Sequence, residues 1–229
     1  MERIRKYKME KGKLIVIEGT DCSGKETQSK LLVDKLKEQG HKCITFGFPN
    51  YGSPTGKIVG GPFLGKQEIS DCYFEEGPVA VDPKIACLYY SADFKYNIDK
   101  INSYIEQGYY VILDRYVTSS LGHQGSKIND KEGRFQMFQW IDKLNYWLMG
   151  LPKPDITIFL HVPFAYAKEL KKNRKSLDLA EKDEEHLKNA ERTYLELVEL
   201  YNWKYVNCIK EEELRSIDDI NSEIMNIIQ

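Results

Sequence analysis

The feature that most constrains this chain is Gly19-x-x-x-x-Gly24-Lys25, placed directly after the apolar, β-branched run of residues 14–17 and directly before a helical pattern. Strand, glycine-rich turn and helix in that order form a cradle for phosphate oxygens. The glycines let backbone N–H groups turn inward, and the helix N-terminus adds a partial positive charge facing the anion. Lys25 supplies a point charge for the β- and γ-phosphates of a nucleoside triphosphate. The bare spacing arises by chance in roughly one chain in ten at the usual glycine frequency. The strand before it and the helix after it favour the cradle over a tight turn with a solvated lysine. The expected triphosphate contacts are Gly19, Thr20, Asp21, Cys22, Ser23, Gly24, Lys25, Glu26 and Thr27.

The rest of the chain repeats the alternation of strand and helix. Apolar runs at residues 43–46, 109–113 and 155–160, with a weaker one at 205–208, read as further buried strands. Helical patterns lie at 25–39, with Leu31, Leu32 and Leu36 on one face and Gly40 beyond its end, and at 83–107, opened by Pro83 and stopped by Gly108. Residues 130–149 carry Phe135, Phe138, Ile141, Leu144 and Leu148 at helical spacing, and helices at 164–172, 180–201 and 214–228 follow. Residues 47–83, rich in glycine and proline, read as loops around one short helix. The pattern predicts an α/β fold: a parallel, five-stranded sheet between two helical layers, with right-handed crossovers. A chain of 229 residues, 41% hydrophobic, suffices for one such domain over residues 1–229.

Composition excludes other classes. A net charge of -2 with both signs intermixed gives no basic field for nucleic acid. The five cysteines show no C-x-x-C spacing and no accompanying histidine cluster, so zinc is not expected. An odd count without a framework fits free thiols in a reducing cytoplasm. Residues 1–13 are charged, without the apolar core of a signal peptide, and no run of about 18 apolar residues predicts a membrane span.

Asp114 and Arg115 stand at the carboxyl end of the third predicted strand, where open α/β sheets bind ligands. A carboxylate there can hold Mg²⁺ or its waters, and the arginine can grip a phosphate bidentately. Glu26 occupies the place where such loops carry a Ser or Thr ligand to Mg²⁺. It can complement the helix dipole, bind Mg²⁺ directly or through water, or leave that task to Thr27; the metal role is preferred, because a bare carboxylate beside a triphosphate is repulsive.

With these residues in place the chain resembles the thymidylate kinase (dTMP kinase) family. The loop with Asp21 inside it, Phe48-Pro49, Asp114-Arg115-Tyr116, Ser119, His123-Gln124-Gly125, and Leu177-Asp178 with Glu181 occur in that family's order, over residues 13–210. The resemblance implies a P-loop NTPase-type α/β/α fold, transfer of phosphate from ATP to dTMP with Mg²⁺, and a homodimer. It implies that Asp21 contacts the acceptor's sugar hydroxyl, that Tyr90 stacks on thymine, that Arg115 holds the acceptor phosphate and that Gln124 lies near the base edge. Phe48, Tyr51, Phe94, Ser119 and His123 complete the implied acceptor site. Taken alone, Tyr90 reads as a core aromatic, Gln124 as a loop residue and Asp21 as a turn residue. Tyr51 and Phe94 stand where the family commonly has arginine, and His123 where it commonly has Tyr or Phe; Lys57 and Lys95 are candidate replacements for the lost cations.

Some thymidylate kinases carry a catalytic arginine inside the phosphate loop, at the position held here by Cys22. Cys22 reads as a small filler. The basic segment 171–176 offers Arg174 instead, in a short LID of about residues 171–180. A solvated, cationic helix end is the competing reading. Lys25, Asp114, Arg115 and Arg174 are thus the expected catalytic set, with Glu26 and Asp114 facing the metal. Two other functions stay open: a kinase for a different (deoxy)nucleoside monophosphate, and a nucleotide-binding module with little transferase activity.

Overall fold

The computed structural model describes residues 11–171 and 179–229. In chain order the elements are β1 (Leu14–Gly19), α1 (Lys25–Glu38), β2 (Cys43–Gly47), α2 (Pro54–Ile58), α3 (Pro83–Glu106), β3 (Tyr110–Asp114), α4 (Val117–Gly125), α5 (Lys131–Asp142), β4 (Ile156–His161), α6 (Phe164–Lys171), α7 (Glu184–Leu200), β5 (Lys204–Asn207), β6 (Ile209–Lys210), β7 (Glu213–Leu214) and α8 (Ile217–Ile228). Turns of π-helix follow α2 at Val59–Phe63 and α5 at Lys143–Leu148.

The five main strands form one parallel sheet in the order β2-β3-β1-β4-β5. Alternate side chains of a strand point to opposite faces, so β1 divides its apolar run between two cores. Leu14 and Val16 pack with Val111, Leu113 and Phe159 under α3, α4, α5 and α7. Ile15 and Ile17 pack with Ile112, Ile158 and Leu160 under α1 and α8. The chain leaves β1 for the edge strand β2, returns to β3, and then crosses to β4 and β5 on the other side of β1. The carboxyl end of β1 is therefore the switch point at which an open sheet leaves a crevice.

Caps define several helices. Asp82 accepts from the backbone N–H groups of Lys84 and Ile85, with Pro83 in the first turn of α3. Ser216 Oγ accepts from Asp219 N and starts α8 at Ile217 rather than at 214. Leu214 instead belongs to the small antiparallel β6–β7 ribbon.

The expected helix over 130–149 is present without a gap, as α5 continued by a turn of π-helix. Residues Lys143–Leu148 form a π turn that holds buried Asn145, whose Nδ2 donates to Ile141 O and whose Oδ1 accepts from Ser91 Oγ. Such a turn offsets the helical period by one residue. Leu148, at the end of the turn, is accordingly 62% exposed; Phe135, ahead of the turn on α5, is 40% exposed, while Phe138, Ile141 and Leu144 are buried as expected. Helix α4 has no counterpart in the sequence reading; its Thr118-Ser-Ser run and two glycines are poor helix formers. Among the described residues, no helix is long and apolar enough to cross a membrane. All five cysteines are free.

Candidate active site

A cleft of about 640 Å³ opens at the carboxyl ends of β1 and β3. Gly24 caps α1 with φ 76°, a left-handed conformation that costs a side-chain residue energy and glycine nothing. The turn aims the helix N-terminus, whose first N–H groups lack helical partners, into the cleft. Lys25 folds back over the loop. Its Nζ donates to Gly19 O at 3.0 Å and Thr20 O at 2.8 Å. Burial pushes its ammonium down to about 8, nearby Arg115 adds to this, and Asp21, Asp114 and Glu18 oppose it. Asp21, Cys22, Gly24, Lys25, Glu26 and Thr27 border the cleft. Gly19, Thr20 and Ser23 lie behind, where Thr20 Oγ1 donates to Val162 O and anchors the loop to the end of β4.

The end of β3 brings Asp114 and Arg115 to the same cleft. Arg115 takes φ 67°, an uncommon conformation for a residue with a side chain. NH1 lies 3.6 Å from Glu18 Oε1 and NH2 3.8 Å from Asp21 Oδ1. Burial opposes the guanidinium charge, but Glu18, Asp21 and Asp114 reinforce it, and its pKa rises. Glu18 is fully buried and organises this corner. It accepts from Ser119 Oγ at 2.6 Å, Thr118 Oγ1 at 2.9 Å and Gly19 N at 3.1 Å. Burial works to raise the Asp21 carboxyl, yet Lys25, Arg115 and Lys171 together hold it well below the usual range, with Lys171 Nζ 2.7 Å from Oδ2.

Asp114 contrasts with Asp21. Its Oδ1 is buried with no hydrogen-bond partner among the described residues, and burial raises its pKa despite Lys25 and Arg115. A cation beside it would relieve both. Glu26 also borders the cleft, but its side chain is 74% exposed and its Oε1 lies 2.6 Å from Lys30 Nζ. No group of three or more His, Cys, Asp or Glu able to hold a metal occurs among the described residues. One buried carboxylate with open coordination suits Mg²⁺, which keeps several waters and takes other ligands from phosphates.

The opposite end of the cleft is aromatic. Phe48, Tyr51, Tyr90 and Phe94 line it with Ser119, His123 and Gln124. Phe48 meets Phe94 edge-on at 5.0 Å, and Tyr90 meets Phe63 edge-on at 5.7 Å. Buried Asp93 holds this wall by accepting from Asn50 N at 2.8 Å, Ser53 Oγ at 2.9 Å and Thr55 Oγ1 at 2.8 Å. Gln124 Oε1 is buried without a partner among the described residues. Neither Lys57 nor Lys95 lines the cleft, because both project from exposed helix faces; the cations present are Lys66 and Lys127. Lys66 Nζ sits 4.7 Å from the Tyr51 ring centre, and Lys127 Nζ donates to Pro78 O and Val81 O. Arg174 lies outside the described residues, as does most of the expected LID.

The sequence reading missed Glu18, Lys66, Lys127 and His186. A charge inside an apolar strand could have singled out Glu18, since a buried carboxylate requires partners. The others reach the cleft only through long-range packing.

Comparison with known proteins points to one family. A family model described as thymidylate kinase matches residues 17–220. Thymidylate kinase from Schizosaccharomyces pombe is 32% identical over 96% of this chain and 93% of the relative. The human thymidylate kinase is 31% identical over 69% of this chain and 64% of its own length. Among solved structures, thymidylate kinase from Candida albicans superposes with a TM-score of 0.69, at 26% identity, over 95% of this chain and 91% of that one.

Proposed function

This chain belongs to the thymidylate kinase family, and from that premise we propose how its cleft performs the ATP-dependent phosphorylation of dTMP to dTDP. The observation that carries the reading is the convergence, in one cleft, of the phosphate loop, Asp114, Arg115 and an aromatic wall. ATP places its β- and γ-phosphates against the loop and Lys25; dTMP places its base at the wall, with Tyr90 against the ring and Gln124 toward the base edge. Arg115 grips the acceptor phosphate, and Asp21 meets the sugar hydroxyl. An oxygen of the acceptor phosphate, already ionised, attacks the γ-phosphorus. The bond to the β-phosphate oxygen breaks and ADP departs. No side-chain nucleophile is needed, so positioning and charge neutralisation dominate.

Asp114 fits a Mg²⁺ ion through a buried oxygen that has no partner among the described residues, with Glu26 further out. When bound, Mg²⁺ neutralises charge on the β- and γ-phosphates. The whole chain acts as one kinase domain in the cytoplasm, with Arg174, which lies outside the described residues, as the proposed further charge on the phosphates. It works as a homodimer. Ile85 and Leu88, 46% and 49% exposed on one face of α3, are the proposed contact with the second copy.

A coupled ADP-release assay over a panel of nucleoside monophosphates tests the acceptor. Fastest turnover with dTMP is the expected result; ATP binding without acceptor-dependent turnover would defeat it. A wider acceptor range is the second reading, favoured by Tyr51 and Phe94 with lysines nearby. The Candida albicans relative is itself an enzyme of broad substrate specificity.

A further inference from the structure

His186, on α7, and His123, on α4, form a two-histidine relay that ends on Arg115. His186 Nε2 lies 3.2 Å from His123 Nδ1, and His123 Nε2 lies 3.4 Å from Arg115 NH1. The protons in this chain follow from one fact: a guanidinium only donates. His123 Nε2 must therefore accept, so a neutral His123 carries its proton on Nδ1. That proton points to His186 Nε2, which must also accept, and His186 in turn is protonated on Nδ1. We propose that His186 is a positioning residue for Arg115, acting through His123, which it locks in the tautomer that accepts from the guanidinium.

The surroundings keep both rings neutral. Burial pushes His123 well below its ordinary value; His186, Arg115 and Lys25 add to this, and only Asp21 opposes. Burial brings His186 to about 4, helped by Lys127 and Lys171 and opposed by Asp183 and Asp21. A second proton on His123 would set two donors against each other at Arg115. The rings also pack, with centres 5.4 Å apart, and His123 meets Tyr194 edge-on at 5.6 Å. A filler role for His186 would need only that packing. The relay needs an acceptor atom at Nε2 as well.

The inference rests on Arg115 as the acceptor-phosphate grip, and its test separates the two. In ¹⁵N NMR of the full chain, His123 should show the Nδ1–H tautomer, lost in His186→Phe and regained in His186→Gln, whose side-chain oxygen can replace Nε2. His186→Phe should raise KM for dTMP about fivefold with kcat changed much less, and His186→Gln should restore it. An Nε2–H tautomer of His123 in the unaltered protein overturns the proposal. So does an unchanged KM in a His186→Phe protein that melts at the original temperature. An Arg115→Lys variant with unaltered KM for dTMP would instead remove the grip itself, leaving the tautomer result standing.

Discussion

At the scale of single residues, the site depends on which carboxylates have partners. Glu18 is buried against Arg115, Thr118 and Ser119. Glu18→Gln should cost roughly 2–4 kcal/mol, less than a fully enclosed pair because Arg115 is partly open to the cleft. Thermal melting should fall and KM for dTMP rise together; a loss of either alone would contradict the double role. Asp114 has the oxygen without a partner among the described residues, whereas Glu26 is exposed and paired with Lys30. Asp114→Asn should therefore reduce activity roughly 10–100-fold with a raised Mg²⁺ requirement, and Glu26→Ala should shift the Mg²⁺ titration far less. Equal shifts would refute that ordering. Lys25 must be charged to attract phosphate, and its pKa in the free protein is held down to about 8. Protonation is lost as pH rises, so kcat/KM for ATP should decline on the alkaline side from about pH 8. A profile flat to about pH 10 would count against it.

At the scale of elements, α4 shows packing overriding propensity. It carries Ser119, His123 and Gln124 into the cleft although its sequence does not favour a helix. What holds it is close approach to α7: a Cβ on Gly122 would overlap the Tyr194 ring. Gly122→Ala should destabilise by about 1–3 kcal/mol despite better helix propensity, measured by denaturant unfolding, and weaken dTMP binding. A stabilised Gly122→Ala would show that α4 stands on its own. The same contrast explains what the sequence reveals. β1, α1, β3 and α3 are legible because apolar runs, Pro83 and the flanking glycines report local geometry. The π turn at Lys143–Leu148 is not, because the buried Asn145 it carries is partnered by Ser91 on another helix, far away in the sequence.

At the scale of the whole molecule, α3 faces two ways. Its inner side brings Tyr90 and Phe94 to the cleft, and Ile85 and Leu88 lie outside. Leu88→Glu with Ile85→Glu should yield a monomer in light scattering with little loss of thermal stability; an unchanged dimer would move the interface elsewhere. The sequence by itself determined the sheet, its helical layers, the phosphate loop and the end of β3, because each depends on short-range periodicity and turn chemistry. Only the tertiary structure decided what surrounds those groups. It buried Glu18 under Arg115, left Asp114 with an oxygen that has no partner among the described residues, brought Lys66 and Lys127 rather than Lys57 and Lys95 to the cleft, and joined His186 to His123. The physical reason is distance along the chain: Glu18 and Arg115, or His123 and His186, become neighbours only when parallel strands and the helices over them are packed. Their charges and protons are set by that burial.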